Sequence, residues 1–151
     1  MHKGAIMDNI IVKLITHGSK EYEAALLLRD EILRKPIGLN INDEDLSGEE
    51  NDIHIGAFDG EALVGILVLT KIDEGEIQMR QVAVALPYQG TGIGKHLVNF
   101  CEQTCKDEGY KCIRLHARIT AVEFYKYMEY TVVGDMFKEV GIPHLEMEKY
   151  L

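Results

Sequence analysis

A β-branched apolar run, Val82-Ala-Val-Ala-Leu86, ends at Pro87, passes through a glycine-rich turn and enters a helical pattern at about Gly92. This order restricts the fold more than any other feature of the chain. It brings several backbone N–H groups and a helix N-terminus to one spot, an arrangement suited to a phosphate or pyrophosphate. Glycines at 90, 92 and 94 remove the side chains that would hold such a ligand off the backbone. Two familiar phosphate cradles do not fit. A dinucleotide fingerprint starting at Gly90 needs glycine where Lys95 stands. A Walker A loop ending in Gly94-Lys95 needs glycine at the position of Gln89 and Ser or Thr at that of His96.

The flanking segments read as mixed α/β. Asn9–Thr16 alternates as a strand, and Ser19 is a helix cap with Glu21 and Glu23 in the first turn. Ala25, Leu28 and Ile32 form the apolar stripe of a helix that must stop before Pro36. Residues 34–52 are polar and acidic and read as a long loop, of the kind that covers a substrate pocket. Ile53–Phe58 and Ala62–Thr70 are strands joined by an Asp59-Gly60 hairpin turn, and Ile77–Ala85 is the next strand. This succession argues against a plain Rossmann order. Beyond it come a helix with Ile93, Leu97, Cys101 and Cys105 inward and Lys95, Glu102 and Lys106 outward, then a stop near Gly109. A strand over Lys111–His116, a short helix over Ala121–Met128 and strands around 131–138 and 144–150 complete the pattern.

With 151 residues, 46% of them apolar, the chain is expected to fold as a single domain over residues 1–151. No apolar run approaches the ~18 residues of a membrane span, and Met1–Met7 lacks the apolar core of a signal peptide. These features predict a soluble cytoplasmic protein with no membrane partner, with Met7 as an alternative start to Met1. The net charge of −9 argues against nucleic acid and mildly favours cationic substrates. Cys101, Cys105 and Cys112 read as reduced core thiols, and the scattered histidines predict no metal site.

The segment Gln89-x-x-Gly92-x-Gly94, directly after Val-Ala-Val, resembles the acetyl-CoA signature of the GNAT N-acetyltransferase superfamily. Leu115-His-Ala-Arg-Ile-Thr-Ala121-Val-Glu-Phe-Tyr125 is similar to the family's strand leading into a Phe-Tyr helix. Gly141-Ile-Pro-His-Leu-Glu-Met147 resembles the ending of one bacterial branch of small members. The element order β-α-β-β-β-α-β-α-β-β agrees along nearly the whole chain. The resemblance implies an α/β (α+β) fold with a mixed, mostly antiparallel central sheet flanked by helices.

It further implies acetyl-CoA as cosubstrate and a primary amine of a small molecule or peptide as acceptor, with a homodimer allowed. Val82, Ala83 and Val84 would offer main-chain groups to the pantetheine arm, and an N–H there would polarise the thioester carbonyl. Gln89, Gly90, Thr91, Gly92, Ile93, Gly94 and Lys95 would hold the pyrophosphate. Tyr125 would protonate the departing thiolate, since a phenol remains protonated at neutral pH. Many relatives carry a glutamate on the central strand, whereas this chain reads Ile77-Gln-Met-Arg-Gln81 there. Glu76, His116 and His144 are therefore the candidate bases, and Arg29, Arg34 and Arg80 are candidates for holding either a substrate carboxylate or only a surface acid. Two other classes fit the same sequence: a non-catalytic acyl-CoA-binding regulatory module, and a structural α/β domain whose glycines serve packing alone.

Overall fold

A computed structural model describes residues 9–151 of the chain, so the choice between Met1 and Met7 as start lies outside the described residues. Strand β1 (Ile10–Ile15) leads to helix α1 (Lys20–Arg29), which Ser19 caps by accepting from Tyr22 N–H at 3.2 Å. The helix does not run on unchanged to Pro36. It widens into a π turn over Asp30–Arg34. The segment read as a loop over 34–52 carries short 3-10 turns at Lys35–Ile37, Ile41–Asp43 and Ser47–Asn51. Local polar side chains build these turns, which period-based reading passes over. Asn40 Oδ1 accepts from Asn42 N–H at 2.8 Å, and Asp30 Oδ1 accepts from Ile41 N–H at 2.9 Å.

Strands β2 (Ile53–Asp59) and β3 (Ala62–Lys71) form the expected hairpin, with Gly60 in the left-handed region. Asp73 Oδ1 then accepts from the N–H groups of Gly75 and Glu76, closing the turn into β4 (Glu76–Val84). Helix α2 (Ile93–Asp107) is followed by β5 (Cys112–Arg118), α3 (Val122–Tyr127), β6 (Thr131–Glu139) and β7 (Ile142–Tyr150). The element order is the expected one. The strands lie in the order β1-β2-β3-β4-β5-β7-β6. β1–β2, β2–β3, β5–β7 and β6–β7 are antiparallel, while β4–β5 is parallel. No helix among the described residues is long and apolar enough to cross a membrane.

The chain divides into two compact units. The first runs to Leu69 and resumes over Gln81–Cys101. Its core joins Ile15, Tyr22, Ala25, Leu28, Phe58, Ile66 and Ala83, with Ile32 packed against them. At Gly65 a β-carbon would stand 2.9 Å from Ile93 Cγ2 and 3.0 Å from Leu97 Cδ1. The start of α2 therefore rests on β3 backbone at a distance only glycine permits.

The second unit comprises Thr70–Arg80 and Glu102–Leu151. It buries Ile77, Met79, Ile113, Leu115, Val122, Tyr125, Met128, Tyr130 and Met147. Glu102, read as an outward residue of α2, is buried. Its carboxylate accepts from the Tyr130 hydroxyl at 2.9 Å and from Lys149 Nζ at 3.0 and 3.2 Å. Helical phase alone does not reveal such distant partners. Cys101, Cys105 and Cys112 are buried and unbridged.

Candidate active site

The registered pairing of β4 with β5 runs from Glu76↔Cys112 to Met79↔Leu115, whereas β4 continues to Val84. No β5 residue pairs with Val82, Ala83 or Val84 among the described residues. On its other side the first unit stays joined, Ala85 N–H donating to Val64 O at 2.9 Å. Just before Val82, Gln81 takes a left-handed backbone conformation with φ 57°.

Past the strand, Leu86–Tyr88 forms a 3-10 turn with Pro87 near its start, where a missing N–H costs nothing. The Gln89 side chain folds back and donates from Nε2 to Val84 O at 2.9 Å. The Tyr88 hydroxyl donates to Asp59 Oδ2 at 2.6 Å, and the Thr91 hydroxyl donates to Tyr88 O. The bond to Asp59, more than burial, pushes the Tyr88 phenol above its ordinary pKa. Gly90 (φ 76°) and Gly92 (φ 95°) then turn the chain through the left-handed region, which L side chains avoid. Gly92 O accepts from His96 N–H at 3.1 Å, so Ile93, Gly94 and Lys95 form the first turn of α2. Their N–H groups stand at the positive end of a helix that continues to Asp107.

The candidate bases and Arg80, all in the second unit, fall into three settings. Glu76 is engaged by Arg114, whose Nε and Nη2 donate to it at 2.8 and 3.3 Å. Arg80 is half-buried and donates from Nη1 to Thr70 Oγ1 at 3.1 Å. His116 and His144, taken separately in the sequence, share one carboxylate. His116 Nδ1 lies 3.0 Å from Glu139 Oε1, and His144 Nε2 lies 3.7 Å from Glu139 Oε2. His144 Nδ1 donates to Ile142 O at 2.7 Å, and the Phe137 ring lies 5.1 Å from His116 and 5.8 Å from His144. Glu139 and Phe137 were not foreseen. The register of β6 on β7, with Phe137 opposite His144 and Glu139 opposite Ile142, is what delivers them.

Tyr125 is buried, its ring edge-on to Phe124 at 5.1 Å and to Tyr130 at 5.8 Å. Tyr127 is 69% exposed, and the Tyr130 hydroxyl is committed to Glu102. In the first unit, Arg29 is 1% exposed and both of its terminal nitrogens donate to Glu49. Its side chain holds an internal carboxylate.

Residues 35–151 match the family model described as an Acetyltransferase (GNAT) domain. The chain belongs to the GNAT acetyltransferase family. Acetyl transfer is the chemistry of that family. The uncharacterized N-acetyltransferase YjcF of Bacillus subtilis (strain 168) is 28% identical over 137 residues, 90% of this chain and 97% of the relative. Among solved structures, Escherichia coli ElaA superposes with a TM-score of 0.80 at 23% identity, covering 93% of this chain and 99% of its own. A GNAT family acetyltransferase from Elizabethkingia anophelis, with acetyl-CoA bound, gives 0.68 at 21% identity over 95% and 99%. At these identities the two structures carry the fold. Within this GNAT chain, Val82–Val84 and Gln89–Lys95 lie on consecutive pieces of one unit.

Proposed function

We propose that this protein is an acetyltransferase in which a primary amine of a small molecule or peptide attacks acetyl-CoA directly. One observation carries the reading: after the 3-10 turn that follows β4, the left-handed Gly90 and Gly92 carry the chain directly into the first turn of α2. Such a cradle fits a pyrophosphate without any cationic side chain. Gln89, Gly90, Thr91, Gly92, Ile93, Gly94 and Lys95 hold the pyrophosphate, mainly through main-chain N–H groups. The acetyl-CoA bound to the Elizabethkingia relative supports the choice of ligand.

Acetyl-CoA, when bound, supplies an activated acetyl group as a thioester. Val82, Ala83 and Val84 receive the pantetheine arm as an added strand, and an N–H among them polarises the carbonyl. Tyr125 holds a proton for the departing sulfur. Proton removal from the amine falls to Glu76, His116 or His144. The pair of histidines around Glu139 is the better-arranged choice, because the shared carboxylate orients their imidazoles. Arg80 is the arginine at hand for a substrate carboxylate. The charge of −9 favours cationic acceptors such as amines. The protein works as one domain over 1–151, in the cytoplasm and without a metal, and light scattering separates monomer from homodimer.

The test is thiol release from acetyl-CoA across a panel of amino acids, polyamines, amino sugars and peptides. Amine-dependent release supports the enzyme. Tight CoA binding with no release from any amine favours the regulatory module instead, and no binding leaves a structural domain.

A further inference from the structure

Gln81 is a side-chain-bearing residue held at φ 57°, a region that costs L residues energy and that glycine occupies at no steric cost. Something must therefore hold it. Its side-chain oxygen accepts from Arg34 Nη2 at 3.0 Å. Arg34 is the last residue of the π turn Asp30–Arg34, and its side chain is 11% exposed. The same guanidinium grips the Glu44 carboxylate through Nε and, at 3.0 Å, through Nη2. Glu44 thus fixes the guanidinium through Nε and Nη2, and the same Nη2 holds Gln81. The residue after Gln81 is Val82, the first of those assigned above to the acyl carrier.

We infer that Arg34 is a positioning residue for acetyl transfer. It holds the Gln81 side chain, and through it the left-handed backbone that aims the amides of Val82–Val84 at the thioester carbonyl. A single residue of reversed φ re-aims the peptide groups that follow it, as β-bulges do. The π turn contributes by adding a residue to the end of α1, a device common at functional sites. This inference rests on the acetyl-CoA reading of β4 and adds the residue that tunes it.

The test compares acetyl-CoA with CoA, two ligands that share the pyrophosphate and pantetheine and differ at the acyl group. Calorimetric titration gives both dissociation constants for wild type, Arg34→Met, Gln81→Leu, Gln81→Gly and the double variant Arg34→Met/Gln81→Gly, with circular dichroism to establish folding. Arg34→Met and Gln81→Leu should each weaken acetyl-CoA about three- to tenfold relative to CoA, the range of one lost hydrogen bond. Gln81→Gly should keep the wild-type ratio, and it should rescue Arg34→Met, because glycine takes the left-handed conformation unaided. A general loosening would weaken both ligands alike and leave the ratio unchanged. An unchanged ratio in Gln81→Leu overturns the inference even if Arg34→Met does not fold, and so does a double variant as impaired as Arg34→Met. If wild type binds neither ligand, the acetyl-CoA reading falls and this inference falls with it. If it binds both and no variant alters the ratio, the inference alone is overturned.

Discussion

Arg29 donates to both carboxylate oxygens of Glu49, at 2.7 and 2.8 Å, with the two side chains only 1% and 8% exposed. The Tyr22 hydroxyl donates to the same carboxylate at 2.9 Å, and His54 Nε2 meets the Glu49 carbonyl at 2.8 Å. This group ties the 3-10 turn Ser47–Asn51 to helix α1 within the first unit.

Removing one charge of a buried pair leaves the other without compensation. Glu49→Ala should cost about 3–5 kcal/mol in urea unfolding, and the double change Arg29→Met/Glu49→Leu should recover most of it. A double variant no more stable than Glu49→Ala would mean that the site demands the ion pair itself.

The pair also fixes a pH dependence. Burial alone would raise the Glu49 pKa, but the hydrogen bond and charge of Arg29, helped by Tyr22, outweigh it and hold the carboxyl below its ordinary range. The stabilisation is therefore present above about pH 4.3 and is lost as pH falls through the depressed value. At the alkaline end, burial first and then the bond to Glu49 push the Tyr22 phenol from 10.0 up to about 12. Its contribution is full below pH 10.0 and disappears on approaching pH 12. Thermal melts against pH should lose this acid limb in Arg29→Met/Glu49→Leu and the alkaline limb in Tyr22→Phe.

The glycine cradle separates strain from charge. Gly94→Asp lies in the first turn of α2 and places a carboxylate beside the expected phosphates, so CoA binding should vanish in calorimetry while the fold persists. Gly92→Ala adds no charge but must adopt φ 95°, costing about 1–2 kcal/mol of stability. Gly94→Asp with wild-type CoA affinity would remove the phosphate from this loop.

Gly65→Ala tests the same site from behind. The added methyl meets Ile93 and Leu97 at 2.9–3.0 Å, so an overpacking cost of about 1–3 kcal/mol is expected, together with weaker CoA binding as the start of α2 shifts. Lost stability with intact affinity would show that β3 yields while the helix end remains in place.

The tyrosines should part company by assay. Tyr125→Phe is expected to leave stability and acetyl-CoA affinity near wild type while turnover drops about 10²–10⁴-fold. Tyr130→Phe should instead cost about 1–3 kcal/mol, because the Glu102 carboxylate loses a donor in a buried setting. Tyr127→Phe, at an exposed position, should change neither. Tyr125→Phe with undiminished turnover would make that ring a packing residue.

Much of this was legible because it follows from local chemistry. Alternation gave β1 and the β2–β3 hairpin, Ser19 gave the start of α1, and the glycines gave the left-handed turn into α2. What escaped depends on partners remote in sequence. Glu102 shows an outward phase on α2, yet Tyr130 and Lys149 make its burial favourable. Arg29 sits beside a polar segment and reads as a candidate for a substrate carboxylate, while nothing local marks Glu49 as its partner. Gln81 carries no residue-type mark of positive φ, since a glycine there would have announced the turn. The shared carboxylate of His116 and His144 belongs to a strand register that neither histidine specifies.

β7 lies between β5 and β6, with Met147 opposite Leu115 on one side and Val132 on the other. The order in which these strands are synthesised thus differs from the order in which they lie. On the ribosome, β6 emerges before the strand it pairs with exists, and β5 waits for one of its two neighbours. Until β7 forms, β6 has no strand to pair with and β5 keeps one edge open, so the hydrogen-bonding edges of this unit close only when its last strand enters between them.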